Sequence, residues 1–181
     1  MRRTLSLLAV LLLAGCGGAE PEPLMPARAA EPQRATLGWR ESYPSSGERL
    51  VFVVDELTVR KGGWSVDIAV TNSTRIPFET GATRVQLAYG LMLFATGDLA
   101  ELEDAAQSGG LPPLRRAATI APEQPEVLAP GQTWRATLSA PGSLADGSYV
   151  RVSFGGFQAE GEPPDGMEPF VVWITDRAYK L

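Results

Sequence analysis

The sequence predicts an antiparallel all-β sandwich of seven to nine strands, with one short helix in a long connection between strands. In residues 64–70, WSVDIAV, apolar and polar side chains alternate with a period of two, which is typical of a strand with one face on a core. The same alternation recurs in residues 133–139 and 149–154, and turn-forming residues separate the runs. Short alternating runs with frequent turn signals indicate a sandwich.

The first fifteen residues have the layout of a signal peptide. Arg2 and Arg3 precede a short apolar run, residues 5–13, that is too short to span a bilayer as a mature helix. The run closes in Leu13-Ala14-Gly15-Cys16, which resembles the lipobox of bacterial lipoproteins. The resemblance implies cleavage before Cys16, a lipid on its sulfur and a palmitate-type acyl chain on its new amino group. A chance cysteine in an ordinary secreted protein is the alternative.

The mature chain is expected to begin with a tether and to end in one domain. Residues 16–38 hold the lipidated Cys16 and a stretch rich in Pro, Ala and Glu, which is typical of a disordered linker. Residues 39–181 are long enough to bury a stable core without disulfide bonds or bound metal ions. Cys16 is the single cysteine of 181 residues, so no disulfide within the chain is expected.

The strands are expected in the following order. Residues 50–60 and 64–70 form a hairpin through Lys61-Gly62-Gly63, because a short glycine-containing link between such runs favours a tight turn. Residues 76–78 are expected at a sheet edge, since Pro77 cannot donate to a ladder. Residues 85–96 are apolar on both faces toward their end, which indicates a central strand broken or bulged at Gly90.

One helix is predicted in residues 98–107. Asp98 is placed to cap it, with Glu101 three residues on as in a capping box, and Gly109-Gly110 is placed to end it. The proline-rich residues 111–130 that follow are expected to form a stiff connection with one strand inside it. A connection of this length is unusual in a compact sandwich and is more often functional or disordered than neutral.

The remaining segments complete the predicted sandwich. Residues 133–139, 149–154 and 170–175 are expected to be strands, and Gly155-Gly156 suggests a bulge or a strand end. Residues 160–169 form an acidic loop rich in Pro and Gly. Trp39 and Trp173 are better candidates for exposure than Trp64 and Trp134. The predicted core comprises Trp64, Ile68, Trp134, Leu138, Val150 and Val152.

Two short motifs resemble the immunoglobulin-like sandwich domains of bacterial envelope lipoproteins. Asn72 and Thr74 match a strand end written V-x-N-x-[ST], and residues 128–131, LAPG, match the L-x-P-G turn that follows downstream. Residues 146–149, DGSY, resemble a tyrosine corner, although antibody domains place one more residue between the Asp and the Tyr. The Cys-Trp-Cys hallmark of true immunoglobulin domains is absent. The resemblance implies the fold and almost nothing about chemistry.

Composition excludes several classes of site. The chain has no histidine, so a Ser-His-Asp or Cys-His arrangement cannot exist, and the usual zinc, copper and haem sites are not expected. A Ser-Lys dyad would need Lys61 or Lys180, the only lysines, and both are expected in solvent. Without Arg2 and Arg3, the chain has 14 basic and 21 acidic side chains, which gives a net charge of −7. The sequence has no run of Lys and Arg that could contact a phosphate backbone, so nucleic acid is not expected as a partner.

The sequence therefore favours a non-catalytic extracytoplasmic lipoprotein, anchored by the lipid on Cys16 to the cell membrane or outer membrane. It is expected to bind or assemble with another envelope protein and to need no cofactor. The alternative is a carrier or sensor of a small ligand or calcium, using the acidic loop or an end of the sandwich. An enzyme that uses carboxylates, for instance on glycans, is a third possibility.

The predicted partner-binding residues lie in the connection of residues 97–130. They are Leu99 and Leu102 on the helix and the paired charges Arg115 and Arg116. The competing interpretation is that the two leucines only cap one end of the sandwich.

Overall fold

The computed structural model describes residues 28–81 and 88–181, and within them the chain forms an all-β sandwich of two antiparallel sheets. The predicted fold class is confirmed. The elements are β1 (Gln33–Tyr43), β2 (Arg49–Arg60), β3 (Gly63–Ser73), β4 (Phe78–Thr80), β5 (Tyr89–Phe94), α1 (Leu99–Ser108), β6 (Arg115–Arg116), β7 (Thr119–Ala121), β8 (Val127–Leu128), β9 (Thr133–Pro141), β10 (Tyr149–Ala159), β11 (Phe170–Ile174) and β12 (Tyr179–Lys180).

The five-stranded sheet has the order β1-β2-β3-β9-β7. Its central strand is β3, which contains the alternating run that led the sequence analysis. Lys61 and Gly62 form the turn between β2 and β3, and Arg60 pairs with Gly63 across it, so the predicted hairpin is confirmed. Ile68 pairs with Val54 on one side and with Ala136 on the other, which places three apolar side chains in one row facing the second sheet.

The second sheet is built around β10. Ser153 pairs with Gly90 of β5 and with Ile174 of β11, so these two strands lie on opposite edges of β10. Phe157 pairs with Thr80 of β4 and with Val171 of β11, which places β4 on the same edge as β5. β12 shares the other edge with β11, while β6 adds to β5 and β8 adds to β4.

The predicted core is confirmed. All six residues of the predicted set are buried, and they share one cluster with the aromatic rings of the second sheet. Phe52 of β2 lies edge-on to Phe154 and Phe157 of β10, with ring centroids 5.1 and 5.7 Å apart. Trp39, a candidate for exposure, is buried, because only 8% of it is accessible. Trp173 is half-buried, and its ring stacks on Phe52 with centroids 5.3 Å apart.

The strand count exceeds the prediction, since twelve strands lie in the described residues. Five of them have only two or three residues, too few to carry an alternating pattern. Three of these, β6, β7 and β8, lie inside the connection of residues 97–130, where one strand was expected. The expected edge position of residues 76–78 is also wrong, because β4 lies between β10 and β8. Pro77 precedes β4, so no ladder bond is lost there.

Gly90 serves a different purpose from the expected bulge. The register of β5 with β10 is continuous from Tyr89 to Phe94. A Cβ at Gly90 would lie 2.3 Å from the carbonyl oxygen of Arg115, so the glycine permits β6 to approach. The bulge lies in β10 between Ser153 and Gly156, where Gly155 has a φ of 69°, as the paired glycines predicted.

The predicted boundary between tether and domain, after residue 38, is wrong. β1 begins at Gln33, Ala29 forms a bridge with Ala145, and the amide of Ala30 donates to the Leu144 carbonyl at 2.8 Å. Residues 28–38 therefore belong to the sandwich. Their side chains are small or polar because β1 is an edge strand with one face in solvent, and this composition resembles that of a linker. The signal peptide, Cys16 and the rest of the tether lie outside the described residues, as do residues 85–87 of the predicted central strand.

The two motifs behind the immunoglobulin-like resemblance contact each other. The Asn72 amide donates to the carbonyls of Ile76 (2.8 Å) and Leu128 (2.9 Å), and its oxygen accepts from the Thr74 amide and hydroxyl. The Gly131 amide donates to the Asn72 carbonyl at 2.8 Å. Asn72 is fully buried, so these bonds fix the end of β3 to the L-x-P-G turn.

The predicted tyrosine corner is not formed by the described residues. A Cβ at Gly97 would lie 2.8 Å from the Tyr149 ring, so this ring packs against the start of the connection that contains α1. The ammonium of Lys180 lies 5.8 Å from the centre of the same ring.

Candidate functional site

The helix of the predicted partner-binding segment packs on the outer face of the second sheet. Leu102 is only 7% exposed and forms a small cluster with Met92 and Phe94 of β5. Leu111 and Leu114 pack partly against the same cluster. Burying Leu102 in this way is worth roughly 1.5–3 kcal/mol. Residues 97–114 of the connection therefore form a third layer of the domain, with its own apolar contacts.

The N-terminus of α1 differs from the predicted capping box. Asp98 occupies the N-cap position with extended dihedrals, but its side chain makes no capping bond. The Glu101 carboxylate instead accepts from the amides of Ala95 (3.3 Å) and Thr96 (3.0 Å) and from the Thr96 hydroxyl (2.8 Å). Burial alone would raise the pKa of Glu101, but these hydrogen bonds outweigh it and lower the pKa.

The C-terminus of α1 ends as predicted. Gly109 adopts the left-handed conformation with a φ of 72°, and its amide donates to the Ala105 carbonyl. The amide of Gly110 donates to the same carbonyl at 2.9 Å. Both ends of the helix are therefore fixed, one by a carboxylate and one by a glycine.

A fully buried arginine fixes this layer to the sheet. Nη2 of Arg151 donates to the carbonyls of Gly97 (3.1 Å) and Asp98 (2.8 Å), just before α1. Nη1 donates to the carbonyls of Thr175 (2.9 Å) and Asp176, just after β11. The guanidinium carbon lies 5.4 Å from the centre of the Phe94 ring. One side chain thus bonds two loops more than 70 residues apart in the sequence.

The charge of Arg151 is buried without a direct carboxylate partner among the described residues. Burial lowers its pKa, and the nearby Asp176 and Glu101 carboxylates oppose that shift. Because an arginine is effectively always protonated, the side chain remains cationic at physiological pH. The four carbonyl bonds therefore compensate the removal of a full charge from water.

A second polar contact joins the two sheets through Glu41 of β1. Its carboxylate accepts from the Trp173 indole at 2.9 Å and from the amides of Asp176 (2.9 Å) and Arg177 (3.1 Å). These bonds hold an edge of the five-stranded sheet against the loop that also binds Arg151. The sequence did not predict the roles of Glu41 and Arg151. A charged residue within an alternating strand is ordinarily interpreted as one that faces solvent.

The structure brings three of the four predicted partner-binding residues to the surface. Leu99 is 39% exposed on α1, and Arg115 and Arg116 are exposed in β6. β6 pairs with β5, and α1 packs on β5, so the helix and the arginines share one region of the second sheet. Leu102 faces the sheet, as the competing interpretation requires for that residue.

The acidic loop does not converge on a point. Glu160, Glu162, Asp165 and Glu168 are all exposed. In residues 28–81 and 88–181, no three carboxylate, histidine or cysteine side chains lie close enough together to hold a metal ion.

No helix in the described part of the chain is long and apolar enough to cross a membrane. Comparison with known protein families, with curated proteins and with solved structures finds no match to this chain.

Proposed function

We propose that the chain is a non-catalytic lipoprotein, anchored outside the cytoplasm by a lipid on Cys16, that binds another envelope protein. The partner would dock on the surface formed by Leu99, Arg115 and Arg116. The signal-like first fifteen residues and the Leu13-Ala14-Gly15-Cys16 motif support the anchor. The absence of histidine from the sequence supports the non-catalytic assignment.

The observation that carries the proposal is the rigid attachment of the surface segment. Leu102 fixes α1 to the sheet by apolar contact, and Arg151 fixes the chain before α1 by two hydrogen bonds. A segment that is already ordered loses little entropy when it binds a partner. It presents Leu99, one of two large apolar side chains exposed in the described residues, together with arginine, which is enriched at interfaces.

The anchor is tested by Cys16→Ser. The variant should leave the membrane fraction or accumulate as an unprocessed precursor. Phase separation in detergent, followed by mass determination of the N-terminal peptide, measures both outcomes. Wild-type partitioning of the variant into the detergent phase would contradict the anchor.

The docking surface is tested by reversing both of its charges. Arg115→Glu with Arg116→Glu should keep the wild-type melting temperature and lose the partner in a pull-down from solubilised membranes. A matched control, Lys61→Glu with Arg177→Glu, reverses two exposed charges elsewhere and should retain the partner. If the first variant is folded and still captures every partner of the wild type, this surface is not the docking site.

A further inference from the structure

A basic pocket lies on the outer face of the five-stranded sheet, on the opposite side of the sandwich from α1. It has a volume of about 480 Å³ and lies where β1 ends and β2 begins. The register pairs Ser42 with Val51 and pairs Arg49 with Ser73, so these side chains surround one point of the sheet. Its lining comprises Arg40, Ser42, Gly47, Arg49, Val51 and Ser73, together with Glu41.

The lining of the pocket carries a net positive charge. In residues 28–81 and 88–181, neither Arg40 nor Arg49 forms an ion pair, whereas the neighbouring Glu48 pairs with Arg75 at 3.3 Å. The carboxylate of Glu41 also lines the pocket but accepts three hydrogen bonds from residues 173–177, so the two arginines and this carboxylate give the lining a net charge of +1. Two cationic side chains therefore face a concave surface in a protein whose total charge is negative.

The donors around the pocket suit a phosphate group. Nη1 of Arg49 donates to the Ser45 carbonyl at 3.3 Å, which orients the guanidinium and leaves its other N–H groups available. The hydroxyls of Ser42 and Ser73 make no hydrogen bond within the described part of the chain. Planar guanidinium forks and hydroxyl donors are the groups that bind phosphate oxygens most strongly in proteins. We propose that this pocket binds a phosphate group, a property separate from the partner surface near α1.

The test is a titration of the full chain, held in a detergent without phosphate, with inorganic phosphate at constant ionic strength. Chloride at the same ionic strength is the blank, and the backbone amide NMR signals of Gly47 and Ser73 are followed. We expect saturable shifts at these two positions. Arg40→Gln with Arg49→Gln should weaken binding by about tenfold or more, because two charge-assisted contacts are lost.

The control variant is Lys61→Gln, which removes one exposed charge in the β2–β3 turn, at the other end of β2 from the pocket, and should bind phosphate as the wild type does. If the double variant does not fold, Arg40→Gln alone replaces it, since Arg40 makes no hydrogen bond within the described residues. Shifts no larger than the chloride blank, or equal weakening by Lys61→Gln, would overturn the proposal.

A second arm of the experiment identifies the source of the phosphate. Phosphatidylcholine with and without phosphatidylglycerol is added to the detergent micelles that hold the phosphate-saturated protein. Loss of the phosphate shifts with phosphatidylglycerol alone assigns the pocket to an anionic lipid headgroup. Retention of the shifts assigns it to a soluble phosphate compound, and both results support a phosphate site.

Discussion

Replacing Arg151 by Met tests whether the buried guanidinium fixes the layer that contains α1 to the sheet. The substitution keeps most of the side-chain volume and removes every hydrogen-bond donor. It leaves four carbonyls, those of Gly97, Asp98, Thr175 and Asp176, without their partner. A buried carbonyl left unpaired costs about 1–3 kcal/mol, and of the four residues only Thr175 is itself buried.

The gain that opposes this loss is the removal of a buried charge. Desolvating an ion costs several kcal/mol, and the variant no longer incurs that cost. The balance should be a loss of about 3 kcal/mol in the free energy of unfolding, because the carbonyls of two separate loops lose their partner at once. For a domain of this size, about 3 kcal/mol corresponds to a fall of about 6–12 °C in melting temperature.

Urea titration and calorimetry measure the loss, and amide hydrogen exchange locates it. Exchange should accelerate in residues 97–110, which Arg151 holds, and should remain slow in β2 and β3. The matched control is Arg135→Met, an exposed arginine in β9, which should change the stability by less than about 0.5 kcal/mol. An Arg151→Met variant as stable as this control, with unchanged exchange in residues 97–110, would refute the reasoning.

Three further predictions concern the core, the helix and the dependence on pH. Ile68→Ala should lower the free energy of unfolding by about 2–5 kcal/mol in a denaturant titration, because it empties a core site between β2 and β9, and a loss under about 0.5 kcal/mol would exclude that position from the core. Leu102→Ala should cost about 2–3 kcal/mol by calorimetry, whereas Leu99→Ala should cost less than about 0.5 kcal/mol, and equal losses would contradict the packing of α1. Burial raises the pKa of Asp176 above its usual 3.8, and the nearby Glu41 carboxylate raises it further. The folded state therefore favours the protonated acid, and this contribution to the free energy of unfolding is lost as the pH rises above 3.8. Asp176→Asn should therefore raise the free energy of unfolding slightly near neutral pH, a gain kept small by solvent screening, and a urea titration series that shows a loss there would contradict the assignment.

The sequence predicted the parts of the fold that depend on local patterns. β3, β9 and β10 carry their apolar residues at every second position, and a core on one face requires that spacing. The helix was predicted because its leucines and its terminal glycines lie close together in the chain. β1 was missed because an edge strand needs few large apolar residues, so its composition resembles that of the predicted tether.

The polar contacts could not be predicted because they depend on residues distant in the sequence. Arg151 has an outward position in β10 and would face solvent if residues 97–114 did not cover that face. Glu41 is half-buried, and its carboxylate is bonded only because residues 173–177 bring three donors to it. For the same reason Trp173, which alternation placed opposite its apolar neighbours, stacks on Phe52 of the other sheet.

The position of β11 and β12 at the end of the chain has a consequence for the order of folding. Synthesis proceeds from the N-terminus, so the β2–β3 hairpin is complete long before residues 170–180 exist. Until then Arg151 lacks two of its four acceptors, Glu41 lacks all three of its donors, and one edge of β10 has no neighbour. An unpaired edge of a long strand such as β10 promotes aggregation. A chain truncated after Pro169 should therefore aggregate more than one that has lost the same length of exposed loop.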